Sequence, residues 1–426
     1  MALILFISTS LPPVADSQTI RNIFLINGLL DSGHRVHLLQ PPASAGDPTL
    51  GEILRDDVQS TWTDQSFFDA LLGRLNLTGA SSVLRRLGLR IVSRLTGLIS
   101  VPDVRMGWDL KAFNRAVAEF DSAPDLIVSS SGSNTAHMAA SRLALRWNAP
   151  WVAEFGDPWS LNPLPPASYP HIRFLNRRLE QRTMRHAAGI VFTTEETAGA
   201  FERQGFARAV PTEVVPCGFD PLVMNHWRPP SARSELVMAY TGTASRGSRN
   251  LTPLFTAIAD AARLDHSLPP TRIRIAGDVD PAFGKSIQSS DRISVDQLGW
   301  LPYVESIRML AEADVLLLIG NRSALQIPAK VYNYIASGKP IIYFQQTAEA
   351  SDPALQLMKK CNNRLLALGD RQLAPHGIAQ FLATAAMTHN SSTGSTSPHL
   401  LSWQQAGDRF AEFVQSCLAG RLTTQV

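Results

Sequence analysis

The segment 314–344, DVLLLIGNRSALQIPAKVYNYIASGKPIIYF, constrains the fold most, because two short apolar runs flank an interval the size of a helix. Val315–Ile319 has the length and composition of a strand buried on both faces, and Ile341–Phe344 repeats it after Gly338, Lys339 and Pro340. Pro328 marks a helix start; Gly338 and then Pro340 mark its end. Strand, helix and strand at this spacing form a βαβ unit, so the chain is expected to be an α/β protein with parallel sheets. A helix launched from the carboxyl end of a parallel strand points unpaired N–H groups into the crevice, which predicts an anion site around Ala329 and Lys330. An ordinary crossover with a solvated lysine fits the same local pattern.

With 426 residues the chain exceeds one ordinary core, and two domains of about 200 residues are expected. A hydrophobic content of 45% supports packed domains. The net charge of +3 is too small for a nucleic-acid binder, although a sequence pI near 8.8 leaves room for a local basic patch. Cys217, Cys361 and Cys417 match neither a metal-ligand spacing nor a disulfide framework, as fits a reducing cytoplasm. Leu3–Ile7 lacks a basic leader and is too short to cross a bilayer, so it reads as a first strand. No run of 18 apolar residues occurs, and a membrane role would have to be peripheral.

Leu3–Ile7 runs into the polar loop Ser8, Thr9, Ser10, and residues 19–30 carry apolar side chains at helical spacing. Gly33 stops that helix and a strand resumes over 36–39. No GxGxxG follows the first strand, so a dinucleotide fingerprint is absent. Over 83–106 arginines alternate with leucine, isoleucine and valine, a basic amphipathic pattern suited either to an anionic membrane surface or to packing on its own domain. A strand over 125–128 ends in Ser129 to Thr135, a hydroxyl-rich loop opening a helix with His137; it suits a hydroxylated ligand or a simple cap. Another strand over 150–155 is followed by Gly156, Asp157, Pro158 and Trp159. An acid beside an accessible tryptophan suits a sugar, and a tight turn is the competing reading.

The proline-bearing stretch 211–220, continuing to Trp227, Pro229 and Pro230, reads as the interdomain linker. The second half repeats the logic of the first. Tyr240 to Thr243 close a strand, and Arg246 and Arg249 sit in a small-residue loop ahead of a helix, an arrangement suited to a diphosphate or to solvent. Asp278 and Asp280 form a DxD, but two acids without a third ligand read as a polar turn. A Ser/Thr-rich loop over 389–398 carries an Asn390 sequon that is silent outside a secretory compartment. The last helix, 402–418, has Trp403, Phe410 and Phe413 for docking.

Several short strings fall in order over nearly the whole chain: Gly33-His34-Arg35-Val36, Pro102-Asp103 with Trp108, Phe155 to Trp159, Pro216 to Asp220, Thr241-Gly242-Thr243 with Arg249-Asn250, Ala276-Gly277, Leu298-Gly299, and Asn321 with Gln326 to Lys330. In this order they resemble the retaining family 4 GT-B glycosyltransferases, in particular the bacterial surface-polysaccharide branch. The resemblance implies two Rossmann-like β/α/β domains facing across a cleft: 1–215 binding the acceptor, 216–400 binding the nucleotide sugar, and a terminal helix over 401–426 returning to the first domain. It implies a UDP- or GDP-type donor with Arg246 or Arg249 and Lys330 on the diphosphate. Thr243, Asn321, Gln326 and Asn333 would be further donor contacts, with Asp157 and His137 at the sugar or acceptor. The acceptor would be a glycan or a lipid-linked glycan, with no metal, no separate cofactor and no nucleic acid. Separately from the resemblance, the cysteine usage points to the cytoplasm, and the basic segment 83–106 offers peripheral contact with the inner face of the membrane as the alternative to a helix packed on its own domain.

Family members usually carry a glutamate three residues after the lysine, and many have another eight residues earlier; this chain has Asn333 and Leu325. A neutral amide holds a ribose hydroxyl more weakly than a carboxylate does, and leucine does not hold one. Two other readings therefore stay open: a degenerate GT-B subunit that binds a partner glycosyltransferase or glycan, and a sugar-nucleotide 2-epimerase. The basic segment gives a test of its own. Replacing Arg85, Arg86 and Arg90 with glutamine should reduce sedimentation of the protein with anionic vesicles, and equal sedimentation would leave these arginines as a solvated face.

Overall fold

A computed structural model describes residues 1–42, 46–65, 101–162, 169–205, 210–225, 235–244, 249–280, 283, 292–321, 325–346, 352–361, 364–369, 374–387 and 397–424. The chain divides into two compact units, one made of Met1–Pro216 with Gln404–Val426 and one of Cys217–Trp403. Arg246, the basic segment as far as residue 100, Trp227 to Pro230 and the Ser/Thr-rich loop over 389–396 lie outside the described residues.

The first unit is built on a parallel sheet of seven strands: β1 (Leu3–Ile7), β2 (Arg35–Gln40), β3 (Gln59–Trp62), β4 (Leu126–Ser130), β5 (Trp151–Phe155), β6 (Gly189–Phe192) and β7 (Thr212–Val214). Their order is β3-β2-β1-β4-β5-β6-β7, so the chain starts in the middle and winds first one way and then the other. The reversal lies between β1 and β4, the place where open α/β sheets leave a crevice at the carboxyl ends of their strands. Strand alternation sends Leu5, Ile127, Trp151 and Phe155 to one face, where Trp108, Leu143, Met184 and Phe201 close the core. The stretch 211–220, read from sequence as a linker, contributes β7 instead: Thr212–Val214 pairs with β6, and the unit ends at Pro216.

The helix Ser17–Asp31 begins where Asp16 accepts the Thr19 N–H at 2.7 Å, and ends at Gly33, whose positive φ of 79° suits glycine. Its Gly28 lies against Gly407 of the terminal helix Trp403–Thr424, so closely that a β-carbon on Gly28 would overlap the Gly407 carbonyl. Phe413 and Cys417 of the same helix fill the space over Gly189 in β6. One charged side chain of the helix Ser17–Asp31 points inward. Arg21 is 1% exposed; its Nε donates to Glu154 Oε1 at 2.7 Å, and its other nitrogens donate to the Val215 carbonyl at 2.8 Å and the Pro216 carbonyl at 3.2 Å. Gln18 donates to the other Glu154 oxygen at 2.9 Å.

The second unit has six parallel strands: β8 (Leu236–Thr241), β9 (Thr271–Ala276), β10 (Ile293–Gly299), β11 (Val315–Ile319), β12 (Ile341–Phe344) and β13 (Leu365–Leu368). Their order, β10-β9-β8-β11-β12-β13, repeats the same winding, with the reversal between β8 and β11. Met238, Tyr240, Ile273, Leu317 and Ile319 meet Phe255, Ile258 and Leu382 in its core. Lys339, in the turn before β12, is buried because its ammonium donates to the Ala311 carbonyl at 2.8 Å and to that of Ala313, at the end of the helix Tyr303–Glu312. The segment 314–344 is therefore a βαβ unit at the middle of this sheet.

Removing one partner of a buried ion pair leaves the other charge unpaired. Glu154→Gln should cost about 3–5 kcal/mol of stability and lower the urea midpoint accordingly. Arg55, paired with Asp31 and Asp57 on the surface, gives the contrast: Arg55→Gln should leave the midpoint almost unchanged.

Candidate functional site

Each unit has its own crevice at the switch of its sheet, and the two differ in chemistry. In the first, the hydroxyl-rich loop after β4 spends most of its groups internally. Ser130 Oγ donates to Asn22 Oδ1 at 2.6 Å, while Ser131 Oγ accepts the Gly156 N–H at 2.9 Å. Asp103 occupies the start of the helix Thr135–Trp147, accepting from Ser133 Oγ at 2.8 Å, Thr135 N–H at 3.1 Å and Thr135 Oγ1 at 2.9 Å. A carboxylate of the chain itself thus fills the position that an external anion would take. Beside it is a pocket of about 140 Å³ lined by Asp103, Arg105, Ser133, Asn134, Asp157 and Asn162 among others. Asp157 is exposed at its rim.

Two expectations for this crevice are corrected. Trp159 is 3% exposed rather than offering a flat face to a sugar; its indole Nε1 donates to Asn176 Oδ1 at 2.8 Å. His137 is fully buried among Trp151, Phe155 and Trp159, with Nδ1 2.7 Å from Ser129 Oγ. Burial pushes its pKa down to about 3, so the ring is a neutral core group and does not reach the pocket. The cause is helical phase: position 137 falls on the sheet-facing side, with Ala136, Ala139 and Ala140.

The helix Pro170–Met184 positions the turn that bears Asp157. Asn176 holds Trp159, and Glu180, one helical turn further on, accepts the Ser160 N–H at 3.2 Å. Burial raises the Glu180 pKa to about 7.

In the second unit the cationic residues converge. Lys330 begins the helix Lys330–Ala336; its ammonium donates to the Thr241 carbonyl and lies 4.6 Å from the centre of the Tyr240 ring. The residue keeps some accessible surface, yet the ammonium is desolvated. That desolvation, and secondarily the neighbouring Arg249, lower its pKa to about 7. Arg249 Nη2 donates to Asn321 Oδ1 at 2.7 Å, and Asn321 Nδ2 is 3.5 Å from the Gln326 carbonyl. Gly242 and Gly277 make room: both have φ near +120° (122° and 121°), and a β-carbon on Gly242 would collide with the lysine Nζ. Thr243 is exposed next to them, with its carbonyl accepting the Tyr240 hydroxyl at 3.1 Å.

The helix start expected to bind an anion is only partly open. Val331 N–H already donates to the Pro328 carbonyl at 2.9 Å and Tyr332 N–H to that of Ala329 at 3.4 Å, which leaves the charge of Lys330 as the main attraction. Asn333 stands apart from this cluster. It is 8% exposed, and its Oδ1 accepts the Asp220 N–H at 2.7 Å, in a buried corner with Tyr303. There the chain 218–220 runs beside Leu401 to Trp403, and Gly218 is needed because the Trp403 backbone lies over it. Among the described residues no group of three or more His, Cys, Asp or Glu side chains could hold a metal ion. No described helix is long and apolar enough to cross a membrane.

Sequence reasoning passed over the Arg21–Glu154 pair and the grip of Asn176 and Glu180. The signal was present, since an arginine within an apolar helix and a glutamate within the strand Trp151–Phe155 each require a buried partner.

Residues 25–218 match the glycosyl transferase 4-like domain. Among curated proteins none matches the sequence significantly. Solved structures resemble it along its whole length. HepE of Anabaena, in complex with UDP and glucose, aligns with a TM-score of 0.53 at 15% identity, covering 98% of this chain and 100% of its own. A candidate UDP-N-acetylglucosamine 2-epimerase from Listeria monocytogenes gives a TM-score of 0.58 at 10% identity, over 99% and 97% of the two chains. UGT89C1 of Arabidopsis thaliana, complexed with UDP, gives 0.51 at 13% identity, over 98% and 100%. At these identities the likeness is one of fold. The chain is a two-domain α/β protein of the GT-B fold, similar over residues 25–218 to the glycosyl transferase 4-like domain.

Proposed function

We propose that the chain is a retaining, metal-independent glycosyltransferase that moves a sugar from a nucleoside-diphosphate donor to a hydroxyl of a glycan or lipid-linked acceptor in bacterial polysaccharide synthesis. The observation that carries this reading is the convergence of Lys330, Arg249 and Asn321 at the switch of the second sheet, where Gly242 and Gly277 clear the backbone. Two cations whose partners among the described residues are an amide, a carbonyl and an aromatic ring suit a diphosphate, and Thr243 and Gln326 stand at the edge of their cluster. Arg246 belongs to the same loop in sequence and would add a third cation. In the first unit the pocket beside Asp157 suits a hydroxylated acceptor, since Asp103 already neutralises the helix start there. Retention then follows from donor phosphate assistance: the leaving diphosphate accepts the proton of the acceptor hydroxyl on the face it departs from. Lys330 and Arg249 stabilise the charge that develops on it.

Asn333 favours a second reading. Its carboxamide oxygen holds the Asp220 N–H, and Leu325 brings no carboxylate to replace it, as would suit a degenerate subunit that no longer binds the donor in the family's manner. A thermal-shift screen of UDP, GDP and their sugars separates the two. A rise in melting temperature with a nucleoside diphosphate supports the enzyme, and no rise with any of them makes the degenerate subunit the better reading.

Lys330→Ala should weaken binding of the nucleoside diphosphate by at least about a hundredfold in calorimetry, the cost of removing a desolvated charge partner. Unchanged affinity would remove the diphosphate from this site. The pH dependence has a definite sign. With the free ammonium titrating at about 7, a bound dianion raises the lysine pKa, so binding takes up a proton above neutrality and weakens as pH rises, by up to about tenfold per unit. Calorimetry at slightly alkaline pH, in buffers of different ionisation enthalpy, should show that uptake in the native protein and its loss in Lys330→Met.

A further inference from the structure

Lys330 has a second chemical property besides its charge. Its Nζ donates to the Thr241 carbonyl and lies over the Tyr240 ring, so these contacts are a neutral oxygen and an aromatic face. Arg249, the other cation of the cluster, donates to Asn321, a neutral amide. Desolvation first and the Arg249 charge second favour the uncharged amine, and a pKa of about 7 leaves a large share of it as free base near neutrality. An ordinary lysine, with a pKa of about 10.4, is free base to roughly 0.1% at pH 7.5. Only the free base is a nucleophile, and an apolar contact with a second cation nearby is the environment that activates one. The residue is half-buried and not sealed. Lys339 gives the contrast: it is 3% exposed, with its ammonium enclosed by the Ala311 and Ala313 carbonyls.

We propose that Lys330 is a site of acylation by acyl phosphates, the mixed anhydrides of a carboxylic acid and phosphate. Such a reagent carries both groups the cluster can use: a phosphate for Arg249 and an acyl carbon for the amine. In the step, the Nζ lone pair attacks the acyl carbon, a C–N bond forms, and the C–O bond to phosphate breaks. The amine proton passes to the departing phosphate, which leaves as hydrogenphosphate, so no oxidant, reductant or further co-reactant is needed. The product is a neutral amide. It removes the charge of Lys330 and puts an acyl group where the diphosphate is proposed to sit, so acylation closes the donor site. An acyl donor without an adjacent phosphate meets the same amine but gains nothing from Arg249. The inference rests on the proposed diphosphate site, whose anion-binding half it uses.

The test uses the full native chain and acetyl phosphate, with acetylation read residue by residue in mass spectra. Lys111, Lys359 and Lys360 are exposed and serve as internal references. Free-base content favours Lys330 by several hundredfold, and the lower nucleophilicity of a weaker base returns part of that. Lys330 should therefore acetylate about tenfold to thirtyfold faster than the references at pH 7.5. Its rate should level off above about pH 8, whereas theirs continue to rise about tenfold per unit. An excess of inorganic phosphate should protect Lys330 and leave the references unchanged. N-acetoxysuccinimide, an uncharged acyl donor, separates reactivity from anion binding: Arg249→Gln should lower the ratio of acetyl phosphate to N-acetoxysuccinimide labelling at Lys330 by at least about tenfold. The native protein alone decides the first three readings, so they stand even if that variant folds poorly. Labelling no faster than at the references, no plateau, no protection by phosphate, or an unchanged ratio in a folded Arg249→Gln would each overturn the proposal. Calorimetry with UDP and GDP on untreated protein reads the donor site separately. Binding of either alongside unselective labelling sinks the acylation alone, while selective, phosphate-protected labelling without their binding supports it and removes the nucleotide from the site.

Discussion

The first unit depends on one buried ion pair. Arg21 and Glu154 are both excluded from water, and together they join three parts that are distant in sequence: the first helix, the carboxyl end of β5, and the carbonyls of Val215 and Pro216 where the unit ends. Hydrophobic packing alone fixes these elements loosely, because it has no direction. A guanidinium with three fixed partners is directional, and its cost of desolvation is offset only when every partner is in place. The turn carrying Asp157 begins two residues after Glu154, with Gly156 kept small by the adjacent Gln18 side chain. The geometry of the pocket thus descends from a salt bridge that lies outside it.

The second unit gathers its cationic side chains by another route. Its cationic cluster depends on two absent β-carbons: that of Gly242 leaves room for the lysine ammonium to approach a backbone carbonyl and an aromatic face, and that of Gly277 leaves room for the Gly242 backbone. Partial desolvation leaves Lys330 near its titration point, a state in which an arriving anion gains both an ion pair and a proton. The first unit has done the opposite. Its comparable helix start already carries Asp103, so the same fold element bears a lysine in one sheet and is a satisfied structural joint with a carboxylate in the other.

Much of the fold was legible in short apolar runs. Val315–Ile319, Ile341–Phe344 and Leu3–Ile7 are read correctly because a strand buried on both faces needs nothing but apolar residues of the right length. Thr212–Val214 was not, since a three-residue edge strand beside prolines has no periodicity to detect. Lys330, Arg249 and Asn321 could be nominated from residue type and position in a loop, and they do lie together. His137 and Trp159 could not be judged, because whether a side chain on a helix or turn faces a crevice or a core depends on a rotation that composition does not specify. Asn333 likewise reads as a weakened ligand and is found holding the main chain at Asp220.

The contact of Gly28 with Gly407 has a consequence for biosynthesis. The first unit is discontinuous: residues from both ends of the chain build it, and everything over 217–403 must be made in between. At ribosomal rates of about 5–20 residues per second, its early sheet waits roughly 10–40 seconds before the closing helix emerges. Through that interval the cleft at Gly28 and the surface of β6 at Gly189 lack their cover from Gly407, Phe413 and Cys417. The nascent protein therefore exposes an apolar face that the finished one hides, and truncation anywhere before residue 404 makes that exposure permanent.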